Sequence, residues 1–376
     1  MAFPSLKAKI ISSAVEAKEM WPGLGDAFLG GPAQTADWFS FWQASVNPDC
    51  LVAALLVGDE PVLLLPLEIM QRGLVRMALF VGGPHANCNF PALSLAHQVA
   101  RDDLAVLSEA LHQARPDIDL ISLTRQLRAL DGVANPLLQL ASRENANVSL
   151  AITLDRNFEV VLGRNNAKRK KKKHRQNTRR FKEAGGYRIV AGNSPSETRT
   201  MLDNYFAWKA KRLAKAGIKN TYEPAGIKDF FHRLFAKETS SASPRFQLKA
   251  LEVNGQYRAV VGKSYARGQT FIDFIGIAED ELVNASPGEF LFFEDIQDSC
   301  KTDLAIYSFG IGDEPYKRSW SDIEVATYDT DISLTIKGRI FASYLGARSK
   351  LVRAIKQNGA VWARVKKARS RLFGKR

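Results

Sequence analysis

Ser308-Phe309-Gly310-Ile311-Gly312-Asp313-Glu314-Pro315-Tyr316-Lys317 is the stretch on which the fold turns. It closes an apolar run from Asp303 that reads as a strand, and its two glycines release the backbone into a turn. Two carboxylates, a phenol and an amine fall on that turn. These are the groups that accept and donate protons when an acyl group moves between two carriers. Upstream, Thr270 to Ile277 reads as a strand that sets Asp273 among Phe271, Ile272, Phe274 and Ile275. The loop Asn284-Ala285-Ser286-Pro287-Gly288 then opens a helix to Cys300. Proline at a first turn loses no hydrogen bond, and the helix start offers N–H groups and a positive dipole end to a phosphate.

Working outward, Phe246 to Val253 and Gln256 to Tyr265 flank Asn254-Gly255, the signal of a two-residue hairpin. Ile227 to Glu238 is an amphipathic helix. Ser194, with Glu197 three residues on, predicts a capped helix through Lys215. Tyr187 to Ala191 is a strand, and Val160 to Ala184 a long basic helix. The N-terminal half offers the same kinds of parts. A helix spans Thr35 to Ser45, and a hairpin joins Leu51–Val57 to Val62–Ile69. A strand covers Val75 to Val81 before Gly82-Gly83-Pro84. A helix from Arg101 to Ala114 and strands at Ile118–Leu123 and Val148–Leu154 complete it. Helices mixed with antiparallel meanders in both halves predict an α+β protein of two domains.

The net charge of +14 is unevenly placed. Arg164 to Lys182 holds 11 Lys/Arg and no acid, and Lys337 to Arg376 holds 13 and no acid. The remainder has 29 bases against 39 acids, so the body is mildly acidic and two segments carry the polyanion-binding potential. The basic run near Lys170 lacks interleaved aromatics, which speaks against a single-stranded nucleic-acid platform. From Arg339 onward, Phe341, Tyr344, Leu345, Val352, Ile355, Trp362 and Val365 recur at helical spacing among cations. Such a tail suits a membrane surface or packing on the body. Cys50, Cys88 and Cys300 make neither a disulfide framework nor a metal motif, and the five histidines show no ligand spacing. No metal is expected. The opening residues lack a charged lead and apolar core, so no signal peptide is expected.

The order Ser286-Pro287-Gly288 with a helix, a strand, then Gly312-Asp313-Glu314-Pro315-Tyr316-Lys317 and Trp320 resembles the CelD-type family. These are GNAT-like acetyltransferases associated with bacterial cellulose biosynthesis. The resemblance extends upstream to Leu64-Leu65-Pro66-Leu67, Arg72-Gly73 and Phe80-Val81-Gly82-Gly83-Pro84-His85. It also takes in Arg175, Arg179-Arg180-Phe181 with Glu183-Ala184-Gly185-Gly186, and Trp208-Lys209 with Arg212.

The resemblance implies two tandem GNAT-like domains with mixed central sheets, similar in layout to the FemABX transferases. The domains are expected at 1–155 and 156–330, with a basic amphipathic tail at 331–376. It implies acetyl-CoA or another acyl-CoA as donor, and an amine, sugar or polysaccharide-precursor acceptor in envelope or exopolysaccharide synthesis. Asp273, Asp313 and Glu314 are the candidate bases, Tyr316 the acid, and Lys317 the positioning group. Ser286, Pro287 and Gly288 stand where a donor's phosphates would sit. The common GNAT signature Gln/Arg-x-x-Gly-x-Gly/Ala is absent from both halves. A cytoplasmic location, peripheral at the inner membrane, is expected. The alternatives are a FemABX-like transferase using aminoacyl-tRNA, the one nucleic acid in view, and a non-catalytic scaffold of a polysaccharide machine.

Overall fold

The computed structural model describes residues 6–24, 28–358 and 364. Its strands are β1 (Leu6–Ile11), β2 (Cys50–Val57), β3 (Glu60–Arg72), β4 (Val75–Phe80), β5 (Ala92–Leu93), β6 (Leu120–Leu127), β7 (Ala129–Leu130), β8 (Val133–Ala134), β9 (Ser142–Thr153), β10 (Tyr187–Ala191), β11 (Phe246–Val253), β12 (Gln256–Ala266), β13 (Gln269–Ile277), β14 (Ile306–Ile311) and β15 (Ile323–Ser333). Its helices are α1 (Ala14–Met20), α2 (Ala36–Ser45), α3 (Arg101–Ala114), α4 (Phe158–Gly163), α5 (Ala167–Glu183), α6 (Pro195–Lys215), α7 (Ile227–Glu238), α8 (Pro287–Ser299), α9 (Pro315–Arg318) and α10 (Ile336–Gln357). Among the described residues no helix is long and apolar enough to cross a membrane.

The described residues form two compact units, one from 6–148 with 326–358, the other from 149–325. In the first, the sheet order is β1-β2-β3-β4-β6-β15. β4 and β6 are parallel and the other neighbours antiparallel. The β2–β3 hairpin turns at Gly58-Asp59 as its sequence predicts, with Gly58 at φ +65. β2 is buried on both faces, which explains its unbroken apolar run.

In the second unit the order is β9-β14-β13-β12-β11-β10. One face is covered by α5 and α8 through Phe181, Phe290 and Phe293, packed with Leu251, Val261 and Tyr307. The other face is covered by α6 and α7, where Tyr205, Phe231 and Phe235 surround Phe274. The single helix expected over 160–184 is two: Asn166 takes φ +51 and ends α4 from α5. Ser194 caps α6 by accepting from the Glu197 N–H at 3.2 Å. Glu197 returns its carboxylate to the N–H of Asn193 rather than Ser194.

The last strand of each half of the sequence crosses over. β9 pairs with β14 through Ser149 to Thr153, and β15 pairs with β6 through Thr327 to Ser333. α10 follows β15 and lies on the first unit, where Phe341, Ala342 and Leu345 pack against Val75, Met77 and Leu120. Its approach is so close that a Cβ on Gly338 would sit 1.8 Å from the Asp119 carbonyl oxygen. The helix runs unbroken through Gly346. Trp362 and Val365, named above in the tail, lie outside the described residues.

Candidate active site

β13 and β14 run parallel but share only three positions, Gln269↔Ile306, Thr270↔Tyr307 and Phe271↔Ser308. Beyond them the two strands leave each other's ladder, which frees backbone N–H and C=O groups at their C-terminal ends. Asp273 lies at this departure point. On the other side of β13 the register steps from Lys263↔Ile272 to Gly262↔Phe274, so Asp273 is the extra residue of a β-bulge. Bulges re-aim a side chain out of the regular pleat and concentrate beside reaction centres.

The Asp273 carboxylate accepts a hydrogen bond from the Ser264 hydroxyl at 3.0 Å. Burial pushes its pKa up from 3.8 to about 8, the Ser264 bond opposing the shift. Two tyrosines from the α6–α7 region close over it. Tyr205 is fully buried and Tyr222 nearly so, with rings 5.3 Å apart, edge to face. Burial raises both phenols, Tyr222 to about 12, and the Asp273 charge adds to each shift. Tyr205 reaches this position because Gly276 leaves room: a Cβ there would lie 2.7 Å from the Tyr205 ring. A carboxyl that ionises near neutrality, under two protonated phenols, is suited to take a proton from a neutral nucleophile.

The α9 turn supplies the other candidates, and the structure separates them. Asp313 is exposed and bonded to Arg318, which also holds Glu324. Glu314, half exposed, pairs with the Lys317 ammonium at 3.1 Å. Lys317 is buried and donates to the Ile311 carbonyl at 2.9 Å, which ties the turn to the end of β14. Tyr316 stacks on Phe292 of α8 and meets Phe309 edge-on. Burial, then the Glu314 charge, raises its phenol, while Arg212 of α6 pulls the other way. Lys209 of α6 joins the group: burial, Arg212 and Lys317 lower its pKa while Glu314 raises it. The Trp208-Lys209…Arg212 segment and the Gly-Asp-Glu-Pro-Tyr-Lys turn, far apart in sequence, thus come together.

Ser286, Pro287 and Gly288 begin α8 just beyond β13. Ser286 adopts φ +50 and makes no side-chain cap bond. Gly288 is buried against β13, where a Cβ would come 2.9 Å from Ile277. The glycine is therefore required by helix–strand packing, whatever else the helix start does. In the first unit the corresponding turn after β4 is filled by the protein itself. The buried Glu68 carboxylate accepts from the Gly82 N–H at 3.2 Å and the Trp42 indole at 3.0 Å. Burial raises its pKa against the pull of Trp42, Asn47, Gly82 and Gly83.

The basic helix is less solvated than its composition suggests. Lys171 pairs with Glu159, Lys173 with Glu289, and His174 with Glu294. A cavity of about 90 Å³ lies between α5, α8 and Trp320, lined by Arg169, Lys170 and Lys173. Lys170 sits 4.2 Å over the Trp320 ring, and burial lowers its pKa to about 8.

Sequence reading missed a buried polar network under the site. Asp295 of α8 accepts from Lys263 at 2.7 Å and Tyr307 at 2.8 Å, and pairs with Lys249 at 3.0 Å. Burial alone would raise the Asp295 pKa, but Lys263 and Lys249 hold it below the usual carboxylate range. The signal is Lys263 within the largely apolar β12 and Asp295 beside the apolar run Phe290 to Phe293 of α8. Tyr205, Tyr222 and Ser264 gave no such signal.

Residues 168–318 match the family described as Acetyltransferase (GNAT) domain, a span that takes in Asp273, the start of α8 and the turn from Gly312 to Lys317. The chain has the GNAT fold. It is similar in structure to FemX, with 10% identity, a TM-score of 0.54, and coverage of 84% of this chain and 95% of that one. A C-terminal domain from Agrobacterium fabrum, assigned as a lysylphosphatidylglycerol synthetase, gives 11% identity and a TM-score of 0.53 over 90% and 97% of the two chains. A protein of unknown function from Bacteroides thetaiotaomicron gives 12% and 0.52 over 84% and 96%. No curated protein matches in sequence.

Proposed function

We propose that the second unit transfers an acyl group from acyl-CoA to an amine or hydroxyl acceptor, with Asp273 as the base. The observation that carries this reading is Asp273 in the β13 bulge, at the level where β13 and β14 part. The acceptor loses its proton to the Asp273 carboxylate and its nitrogen or oxygen attacks the thioester carbonyl. The freed N–H groups of β13 receive the oxyanion, and the carbon–sulfur bond breaks as the carbonyl re-forms. Tyr316, kept protonated by burial, hydrogen-bonds the departing sulfur. Glu314 and Lys317 hold the turn that presents it, and Asp313 serves as an ion-pair partner of Arg318. The α8 start at Ser286–Gly288 takes the donor's phosphates. The first unit, with Glu68 already on the Gly82 N–H, serves as a non-catalytic half.

The ordered motifs quoted above support a CelD-type enzyme acting on an envelope or exopolysaccharide precursor, and acetyl-CoA is the simplest donor. The test is hydrogen exchange with acetyl-CoA. Protection is expected at 269–277, 286–290 and 306–317. Unchanged exchange there at saturating acetyl-CoA would remove CoA from the reading. One observation favours a second donor. The cavity edged by Arg169, Lys170 and Lys173 suits a larger polyanion, as in an aminoacyl-tRNA-dependent transferase. Replacing Lys170 and Lys173 with Glu should then abolish tRNA binding in a salt-dependent assay.

A further inference from the structure

α10 has two apolar faces, and among the described residues only one is covered. Phe341, Ala342 and Leu345 face the first unit. Ile336, Ile340, Tyr344 and Leu351 face outward and are 76%, 69%, 57% and 62% exposed. At about 100° per residue these four fall within an arc of roughly 80°. Arg339 and Lys350 border one side of that arc, and Lys337 and Arg348 the other. Lys337 also reaches Asp119 at 2.9 Å. No acid occurs from Ile332 to Arg376, and the sequence after Asn358 adds seven more Lys/Arg. A further exposed apolar residue, Leu74 at 84%, precedes Val75, on which Phe341 and Leu345 pack.

We propose that this outward face of α10 docks on an anionic phospholipid surface. An apolar stripe lies at the headgroup boundary while cations on both flanks meet lipid phosphates. A second copy of the chain is a poorer occupant, because pairing two such faces sets cations against cations with no acid on the helix to answer them. A nucleic acid is poorer still, because it would desolvate its phosphates against isoleucine and leucine. The docking stands on this face alone and does not depend on the chemistry of the second unit.

The test is flotation of the full chain with vesicles of phosphatidylcholine, with and without phosphatidylglycerol. Binding to the phosphatidylglycerol vesicles is expected, weakening as salt rises. Ile340→Glu and Leu351→Glu should each lower the bound fraction about tenfold or more. Arg348→Gln with Lys350→Gln should weaken binding and flatten its salt dependence. All four positions are exposed, so the melting transition and the acetyl-CoA protection pattern should not move. No binding, binding indifferent to these variants, or equal binding to neutral vesicles would overturn the proposal. So would a dimer, seen by sedimentation without lipid, that Ile340→Glu dissociates.

Discussion

Replacing Asp273 with asparagine should move activity and stability in opposite directions. In the folded protein the Asp273 carboxyl ionises near pH 8 instead of 3.8, because burial disfavours its charge. At about 1.4 kcal/mol per tenfold, holding the ion there opposes folding by on the order of 5 kcal/mol. The sign follows from proton binding. A carboxyl with a raised folded pKa leaves stability intact below its unfolded value, and stability falls as pH rises through the folded one. Asparagine keeps the shape and the Ser264 hydrogen bond but has no charge to bury. The variant should therefore match the parent near pH 4 and exceed it progressively up to about pH 8, by several kcal/mol in urea denaturation. The same change removes the base. Near pH 7 only about a tenth of the parent is ionised, so kcat/KM should climb roughly tenfold per pH unit and level off above pH 8. Asparagine should lower it by about 10² to 10⁴ at the plateau. Carbon-13 carboxyl NMR of aspartate-labelled protein reads the ionisation directly and needs no acceptor substrate. A carboxyl titrating near pH 4, or a variant no more stable than the parent at pH 8, would refute the reasoning.

Asp295→Asn should lower stability by about 3–5 kcal/mol, because Lys263 is left buried without its counter-ion; a change under 1 kcal/mol in denaturant titration would count against the network. Tyr316→Phe should leave the melting temperature within a degree or two and slow transfer about tenfold or more, read as kcat at saturating donor. Glu68→Ala should cost about 2–3 kcal/mol by stranding the Trp42 and Gly82 donors, with acetyl-CoA affinity unchanged by calorimetry. Gly338→Ala should destabilise the first unit by about 1–3 kcal/mol, since its Cβ would overlap the Asp119 carbonyl.

Local chemistry was enough for most of the elements. α3, α7 and β11 begin and end where periodicity and turn residues put them, because each signal is contained within a few neighbouring residues. Where a long-range partner decides, local reading stops. β1 is not legible locally because its alternation of Lys7 and Lys9 with apolar residues gains meaning only beside β2. β15 is not legible locally because its polar residues find their partners more than 200 positions away, as Asp329 and Asp331 do at the Arg125 N–H and the Ser122 hydroxyl. The candidate site divides in the same way. The turn from Gly312 to Lys317 could be read as a cluster of functional groups from its composition alone. That Arg318 engages Asp313, that Lys317 holds Glu314, and that Asp273 lies in a bulge beneath Tyr205 and Tyr222 are consequences of packing. A residue type states which proton a group can carry. The surrounding dielectric and charges, set only by the tertiary fold, state at what pH it carries it.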